Sequence, residues 1–365
     1  DQLFISTTPG EAGYFRSQDP NVNAAMDFFG VDEATLQGQW NSLLPASPLA
    51  WTEALVDAAR AHSTRMRLQD LQSHQLPADA SLGLPAEPTL LQRVVAAGYN
   101  WSGSVSVGEN VFAYAESVFH GHAAFAVDWG NTPNGIQNPA GHRDNIMDPN
   151  YTEIGIGIIQ DSNPATTVGP YLVTQDFGRR GNYGDARLLG VIYTDGDLDH
   201  FYDAGEGAGG LTVTIQNGAL TYTTTTMDAG GYQAAVAPGT YTVSVSGGNL
   251  QGNVFMGTVT VGSQNMKLDL DLSTVPTYGA IAGTVYGDTN LNGLFGPGES
   301  GLAGWSVYVD SDNDGQLDFG EASTTTDATG GYTFSQVATG TWTVRVMGQA
   351  DYRATNPSTM ERSVS

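Results

Sequence analysis

From Ala50 to Arg67 the chain reads A-W-T-E-A-L-V-D-A-A-R-A-H-S-T-R-M-R, with apolar residues recurring every three to four positions. That period predicts an amphipathic helix, with Thr52 as its N-cap and Glu53 in its first turn. The same period predicts a helix over Thr89–Gly98, stopped by Gly98, and another over Glu116–Trp129. Thr152–Gln160 and Tyr171–Phe177 read instead as strands. The first half is therefore an α+β pattern. Beyond residue 187 the helical period vanishes. Short alternating runs such as Leu211–Ile215 (L-T-V-T-I) and Trp305–Val309 (W-S-V-Y-V) sit between Gly-rich turns. Alternation with frequent turn signals predicts β-sandwiches.

The β-rich half repeats itself. Gly190-Val-Ile-Tyr193 matches Gly283-Thr-Val-Tyr286. T-T-T-T-M-D-A-G-G-Y at 223–232 parallels S-T-T-T-D-A-T-G-G-Y at 323–332, and P-G-T-Y-T-V-S-V at 238–245 parallels T-G-T-W-T-V-R-V at 339–346. The offset grows along the repeat because the second copy carries an additional loop at 310–321. The expected organisation is an N-terminal lead over 1–21, an α+β domain over 22–187, and all-β modules over 188–272 and 279–365. A final strand is expected to begin at Arg362–Ser365, so the second module is read as incomplete or as continued in a longer chain.

Composition narrows the function. The chain has 365 residues, 38 acidic and 13 basic, a formal net charge of −25, no Cys and a single lysine, Lys267. Such a charge repels nucleic-acid phosphates and anionic membranes. No apolar run approaches the ~20 residues of a membrane span. Absence of Cys excludes disulfides, thiolate zinc sites and a Cys nucleophile. Apolar residues at 40% are enough for packed cores rather than a disordered acidic tail.

The charge is clustered. Asp195, Asp197, Asp199, Asp203 and Glu206 stand at positions 1, 3, 5, 9 and 12 of one loop, and Asp310, Asp312, Asp314, Asp318 and Glu321 repeat that spacing. Asp288, Asn290, Asn292 and Glu299 form a third copy with amides at 3 and 5. This is the spacing of a twelve-residue calcium loop, in which oxygens converge on a hard cation and position 7 offers a backbone carbonyl. Here position 7 is Phe201, Leu294 and Gln316. The three loops hold 12 of the 38 carboxylates, a density that repels itself without a counter-ion. Their flanks are β-rich, so calcium clips between strands are expected rather than EF-hand helices. Ca2+ is expected in two or three sites.

These residues carry a resemblance. G-x-V-Y-x-D-x-N-x-N-G-x-x-x-x-G-E-x-G, the T-T-T-D-A-x-G-x-Y run and G-T-x-T-V-x-V resemble the Sdr/Cna-type B-repeat modules of Gram-positive surface adhesins. The resemblance implies immunoglobulin-like or prealbumin-like sandwiches that act as calcium-stiffened spacers. Some related modules carry a Lys–Asn isopeptide staple; with Lys267 alone available, none is expected here.

A second resemblance covers the first half. L-x-W-x-x-x-L-x-x-A-A-R-A-H-S-x-x-M at 49–66, S-H at 73–74, A-A-G-Y with G-E-N at 96–110, W then G-H-R-D-N-I-M at 129–147, and T-E-I-G-I-G with Y-L-V-T-Q-D-F-G at 152–178 resemble the bacterial branch of the CAP superfamily (cysteine-rich secretory proteins, antigen 5, pathogenesis-related proteins). The resemblance implies an α-β-α sandwich whose cleft is lined by two histidines and two acids. Carried over, these are His74, Glu109 and His142, with Glu153 as the second acid. Asp128 ranks lower because it precedes Trp129. The long 131–140 stretch is expected to form a rim of the cleft.

Two imidazoles with carboxylates can hold Zn2+ or another divalent metal, act as a general base pair, or simply satisfy one another. His62 reads as a buried structural histidine, and His120 and His122 do not share a helix face. His200 is expected to face solvent. Ser73 and Ser81 lie near His74 in sequence, but nothing resembles a nucleophile elbow. Three functions stay open. The first is a cleft that binds a small lipid or sterol, glycan or peptide ligand, held out by spacers. The second is a peptidase or other hydrolase using His74, Glu109, His142 and Glu153. The third is a purely structural surface or matrix protein. Loops of this kind fill at extracellular calcium, so a secreted or surface location is expected, with any attachment to cell surface or matrix made through further sequence. Asp1 opens the chain without an apolar leader, which reads as a mature or trimmed chain.

Overall fold

The computed structural model describes residues 16–365 except 219, 251, 276–277, 319, 339–340, 356–362 and 365. Most of the expected lead, and Arg362 of the expected last strand, lie outside the described residues. Two compact units emerge. The first runs through Val245 and takes in 255–270; the second holds 246–254 and 271–365.

Structure begins ahead of the expected boundary. Helix α1 (Pro20–Phe29) is capped by Asp19, whose carboxylate accepts the Asn21 amide, and Gly30 at φ 65° closes it. Helix α2 (Glu33–Asn41) is capped by Asp32. Val22, Met26 and Leu36 from these helices join Val127, Trp129 and Ile136 in one apolar cluster. So few apolar anchors are needed that the helical period goes unnoticed in the sequence.

The strongest predicted helix is α3 (Glu53–Gln69). Its expected first residues are instead strand β1 (Ala50–Trp51), parallel to β3 (Glu153–Gln160) with Ala50 opposite Glu153. Thr52 occupies the N-cap position, but its hydroxyl donates to Glu153 Oε1 at 2.7 Å rather than capping the helix. With β2 (Val105–Ala115) and β4 (Tyr171–Arg180) these strands form a sheet ordered β1-β3-β4-β2, which leaves β2 at an edge.

Helix α3 lies directly on β3, and the G-I-G of 155–157 explains how. A Cβ on Gly155 would stand 2.0 Å from the Leu55 carbonyl carbon, and one on Gly157 would stand 2.2 Å from the Arg60 nitrogen. Only glycine admits so close an approach of helix backbone to strand. Along β4 the alternation is buried on both faces. Thr174 meets Ser63 of α3, whereas Val173 packs against Ala115, Phe125 and Gly121 on the other side. Helix α4 (Leu90–Ala96) joins α3 on the first face. Helix α5 (Val118–Ala123), its π-helical continuation Ala124–Asp128, and α6 (Gly141–Met147) cover the second. The result is the α-β-α sandwich.

The first β module follows in the same unit. Strand β5 (Arg187–Tyr193) pairs with β8 (Gly231–Ala235), with β11 (Met266–Lys267) and with β12 (Leu270–Asp271) in one sheet. Strands β6 (Thr212–Asn217), β7 (Leu220–Thr225), β9 (Gly239–Ser246) and β10 (Val254–Val261) make the other, ordered β10-β9-β6-β7. Val213, Ile215, Tyr241, Val243 and Leu188 are fully buried. The second module pairs β13 (Tyr278–Thr284) with β16 (Gly331–Ala338), and β14 (Ser306–Asp310) with β15 (Ser323–Thr325) and β17 (Trp342–Val346). Ile281, Val307, Val309, Phe334 and Val344 form its core.

The repeat is visible bond by bond. Thr226 Oγ1 donates to the Ala208 carbonyl and accepts from the Leu211 amide, and Thr326 does the same with Leu302 and Trp305. Gly230 and Gly330, at φ 79° and 78°, pack against the carbonyls of Ile192 and Val285 so closely that a Cβ would collide. The copies diverge at the hairpin of the second sheet. Strands β6 and β7 are joined by a tight turn, whereas β14 and β15 are joined by the 310–321 loop.

The first module is not a free spacer. Asn265 is buried at the joint with the α+β domain. Its Nδ2 donates to the carbonyls of Pro48 and Thr152, and its Oδ1 accepts from Tyr183 Oη and the Arg187 amide. Gln233 adds a two-way bond to the Trp51 backbone. Removing a buried amide with four partners strands each of them, which costs ~1–3 kcal/mol per unsatisfied group before relaxation. Asn265→Ala should therefore destabilise the α+β domain and the first module together, by about 2–4 kcal/mol. Amide hydrogen exchange around Thr152 and around Arg187 should speed up in parallel; loosening on one side only would show that the joint does not couple them.

Candidate functional site

Strand β2 carries Glu109 and Asn110 in succession, so their side chains leave on opposite faces. On the α4 side, Glu109 Oε1 meets His74 Nδ1 at 2.9 Å, and Oε2 forms a short ion pair with Arg93 of α4. Arg93 also donates to the His74 carbonyl at 3.1 Å, so one guanidinium fixes both members of the pair. Behind them Glu87 accepts from the Leu76 amide and bonds His62 Nδ1 at 2.9 Å. His62 is completely buried, with Nε2 3.9 Å from Glu109 Oε2. The His74 side chain is 60% exposed. With Nδ1 held by the carboxylate, Nε2 is the atom left to face solvent and ligand.

On the α6 side, His142 Nδ1 meets Asp128 Oδ1 at 2.7 Å. Asp128 is fully buried at φ 59°, the last residue of the π-helical turn. Its Oδ2 also accepts the amides of His142 and Arg143, at 2.9 and 3.4 Å. It thereby supplies the anion at the start of α6, where Ala140 provides no side-chain cap. Asn110 Nδ2 donates to the His142 carbonyl, and Asn145 Nδ2 donates to Asn110 Oδ1. The two histidine–acid pairs thus flank the edge strand and are linked through its Glu109-Asn110 dipeptide.

Glu153 does not complete this set. It is buried away from both histidines and accepts from Thr52 Oγ1, Tyr99 Oη at 2.8 Å and Arg180 at 2.7 and 3.0 Å. It ties β3 to α3 and to the end of β4, and Asp128 holds the place that the resemblance offered to Glu153. Two signals pointed to Asp128: an acid beside Trp129, and a G-H-R helix start lacking a cap of its own. The positive φ, which turns Asp128 back toward α6, is invisible in the sequence. Ser73 donates to the Gln75 carbonyl and Ser81 to Asp79. His120 Nδ1 accepts the Glu116 amide and its ring stacks on Trp129, while His122 lies near Gln175 instead. In the 131–140 stretch, Trp129 bridges to Ile136, and the Gln137 amide bonds the Asp128 carbonyl.

A further acid lies on the α3 face. Asp176 stands directly across from Glu109 in the β2–β4 register, is fully buried, and both its oxygens lack a hydrogen-bond donor among the described residues. Burial first, then the Glu109 charge, pushes its carboxyl well above the usual range, with Arg93 pulling the other way. Burial would raise Glu109 too, but the His74 bond and the charges of His62 and Arg93 outweigh it and hold Glu109 low. The two acids are therefore shifted in opposite directions, Glu109 toward its anion beside His74 and Asp176 toward its neutral form.

The three acidic loops share one backbone. Position 4 is left-handed in each (Leu198, Leu291, Asn313), as is position 6 (His200, Gly293, Gly315). The position-1 carboxylate turns inward: Asp195 accepts the Leu198 and His200 amides, Asp288 those of Asn292 and Gly293, and Asp310 those of Asp314 and Gly315. The position-12 Glu folds back, one oxygen on the amide of position 2 and the other on that of position 9, in all three. Carboxylate oxygens of Asp195, Asp197 and Asp199 lie within 4.8 Å of one another, as do those of Asp310, Asp312 and Glu321, and of Asp312, Asp314 and Asp318. Repulsion from Asp314, then burial and the other loop acids, raises the Asp318 carboxyl. Burial first, then Asp199 and its neighbours, raises Asp203. The donor set suits a hard divalent cation. Among the described residues, no three His, Asp or Glu ligand atoms of the α+β domain converge in this way. The His200 side chain is 84% exposed.

Residues 39–177 match the cysteine-rich secretory protein family, CAP, and residues 279–363 match the SdrD B-like domain. The family match thus covers the second module, whose Thr326 and Gly330 bonds recur in the first. Serine-aspartate repeat-containing protein D of Staphylococcus aureus is 30% identical over 235 residues, 57% of this chain and 17% of the relative's length. An extracellular protein with an SCP domain from Bacillus anthracis is 23% identical, covering 44% of this chain and 40% of its own, with a TM-score of 0.26. The minor pilin of Streptococcus agalactiae is 15% identical, covering 49% of this chain and 90% of its own, with a TM-score of 0.24. No described helix is long and apolar enough to cross a membrane.

A carboxyl whose pKa is raised by folding destabilises the fold as pH climbs from its unfolded value, 3.8, toward its folded one. Asp176→Asn should therefore raise the melting temperature of the first unit at pH 7 by a few degrees, about 2–4 °C per kcal/mol. The gain should fade near pH 4. A variant that melts lower than wild type at pH 7 would show that Asp176 is ionised and paired.

Proposed function

Taking a CAP domain followed by SdrD B-like β modules as the premise, we propose that this chain is a secreted or surface-displayed bacterial protein whose CAP cleft captures a small ligand, held out on calcium-stabilised sandwiches. The observation that carries the reading is the doubled arrangement His74–Glu109 and His142–Asp128. Each imidazole has Nδ1 anchored by a buried acid, and such anchoring presents Nε2 in a fixed direction. That is a recognition surface for a ligand with acceptor or donor oxygens, with the buried Phe125 packed behind the His142 ring. The ligand classes that fit are a lipid or sterol with a polar head, a glycan or a peptide.

Zn2+ fits less well. Glu109 has both oxygens engaged by His74 and Arg93, so the ligands on offer reduce to the outward Nε2 atoms of two histidines on opposite faces of β2. Calcium fits the three loops, through Asp195, Asp197, Asp199, Asp203 and Glu206, through Asp288, Asn290, Asn292 and Glu299, and through Asp310, Asp312, Asp314, Asp318 and Glu321. It would supply the positive charge that the loops lack; the chain supplies the fixed backbone that aims them.

One observation favours a second reading, a hydrolase: a carboxylate-anchored imidazole is also the geometry of a general base. A general base here would have to activate water, since neither Ser73 nor Ser81 bonds the His74 ring.

The test compares wild type with His74→Ala/His142→Ala for binding of a fluorescent sterol, a soluble chito-oligosaccharide and an unfolded-casein peptide. At least one probe should bind wild type and weaken about tenfold or more, ~1.4 kcal/mol, in the double variant. Equal binding of all three by both proteins would overturn the cleft reading. Casein cleavage by wild type that disappears in the double variant would favour the hydrolase instead. For the loops, withdrawing calcium with a chelator should lower the melting temperature of the second unit by ten degrees or more, since ligands that bind only the folded state stabilise it by mass action. An unchanged melt would remove calcium from the account.

A further inference from the structure

The position-1 aspartates of the three loops all accept the position-6 amide, joined by that of position 4 in the first loop and of position 5 in the other two, and they differ in the side chains they face. Asp195 faces His200 Nδ1 at 3.6 Å, from a ring that is mostly in water. Asp288 has the neutral Thr355 hydroxyl. Asp310 has a guanidinium: Arg345 Nε forms a short ion pair with its Oδ2, and Arg345 Nη2 donates to Asn313 Oδ1 at 2.8 Å. Arg345 sits on β17 opposite Tyr308 of β14, two residues from Asp310, so its side chain runs diagonally along the sheet to the mouth of the loop. The Asp310 side chain is wholly buried and that of Arg345 is 18% exposed, so the ion pair is shielded from screening.

The internal repeat supplies a control. G-T-Y-T-V-S-V at 239–245 aligns with G-T-W-T-V-R-V at 340–346, which sets Ser244 in the place of Arg345. The first module lacks a loop between β6 and β7 and has a serine there. The second module has both the loop and the arginine. In a chain with only 13 basic residues, a guanidinium aimed into a five-carboxylate loop stands out against that background.

We propose that Arg345 is the resident cation of the 310–321 loop: it holds Asp310 and Asn313 in their loop positions when calcium is absent, and it lowers the loop's affinity for calcium when calcium is present. The proposal rests on the calcium reading of this loop. A guanidinium beside the first ligand offsets one of five negative charges, and a divalent cation entering nearby meets its repulsion. The backbone is already ordered by Arg345, so calcium gains less by ordering it. The loop becomes a site that is structured at all calcium levels and saturates only where calcium is abundant. The 195–206 loop, with five carboxylates and the exposed His200 ring as the ion-pair partner of its first aspartate among the described residues, should bind more tightly.

The experiment titrates calcium into the full chain against a chromophoric chelator, for wild type, Asp312→Asn, Arg345→Ser and Arg345→Lys. Asp312→Asn identifies the step that belongs to this loop. In Arg345→Ser that step should tighten about tenfold, ~1.4 kcal/mol, while the calcium-free second unit melts lower than in wild type. Arg345→Lys, which keeps the charge, should stay within about threefold of wild type, under 0.7 kcal/mol. If Arg345→Ser does not fold without calcium, the titration runs downward from the calcium-loaded chain. An unchanged or weaker affinity in Arg345→Ser, whatever its stability, overturns the proposal and leaves an ordinary structural ion pair. If Asp312→Asn removes no binding step, the calcium reading of the loop fails, and the proposal fails with it.

Discussion

Carboxylates crowded together repel, and the β modules are organised around that repulsion. Twelve of the chain's 38 acids stand in three loops. Two like charges 4 Å apart cost about 1 kcal/mol in water and about 4 at the effective dielectric of a protein surface. The loops do not relax by splaying. Left-handed residues at positions 4 and 6 bend the chain inward, and the backbone amides at positions 2 and 9 pin the closing Glu. Backbone geometry thus holds the oxygens together at an electrostatic cost, which a bound divalent cation would offset. Each loop also joins strands of a sandwich: Tyr193 bridges to Gly207 across the first and Tyr286 to Gly301 across the second. Order in the loop is therefore order in the sheet.

The CAP domain meets the same constraint with its own donors. Glu109 has Arg93 and His74, Glu153 has Arg180 and Tyr99, and Asp128 has His142 and two amides at the start of α6. Asp176 has none among the described residues, and burial beside Glu109 pushes its carboxyl well above the usual range. Arg93 and Arg180 are set against these buried acids, whereas Arg60, Arg179 and Arg353 lie exposed. Arg93 holds the His74–Glu109 pair in place, and the first amides of α6 hold Asp128 toward His142. The joint at Asn265 then fixes the first module to this domain, so at least one sandwich belongs to the same mechanical unit as the cleft.

Much of this was legible because it is local. The period over 50–67 gave α3, alternation gave β3 and β4, and the spacing of Asp and Glu gave the loops down to their closing residue. His74, Glu109 and His142 were singled out from short motifs, and the structure places His74 on Glu109. The second acid was misassigned because the choice between Glu153 and Asp128 depends on which face each side chain takes. Glu153 alternates toward Tyr99 and Arg180, while a π-helical turn and a positive φ carry Asp128 to His142. Strand β2 escaped notice because its polar Glu109 and Asn110 interrupt the alternation, and α1 and α2 because each buries only one or two side chains. The Asn265 joint and the Arg345 pair link residues far apart in sequence, and no period or spacing announces such contacts.

The most direct measurement is the calcium stoichiometry of the intact chain, by equilibrium dialysis at millimolar calcium with elemental analysis. The expected result is two or three ions per chain, one fewer when Glu321→Gln opens the 310–321 loop. A chain that carries no calcium at that concentration would contradict the account, because the convergence of carboxylates in the 195–206 and 310–321 loops would then have to be sustained by the protein alone.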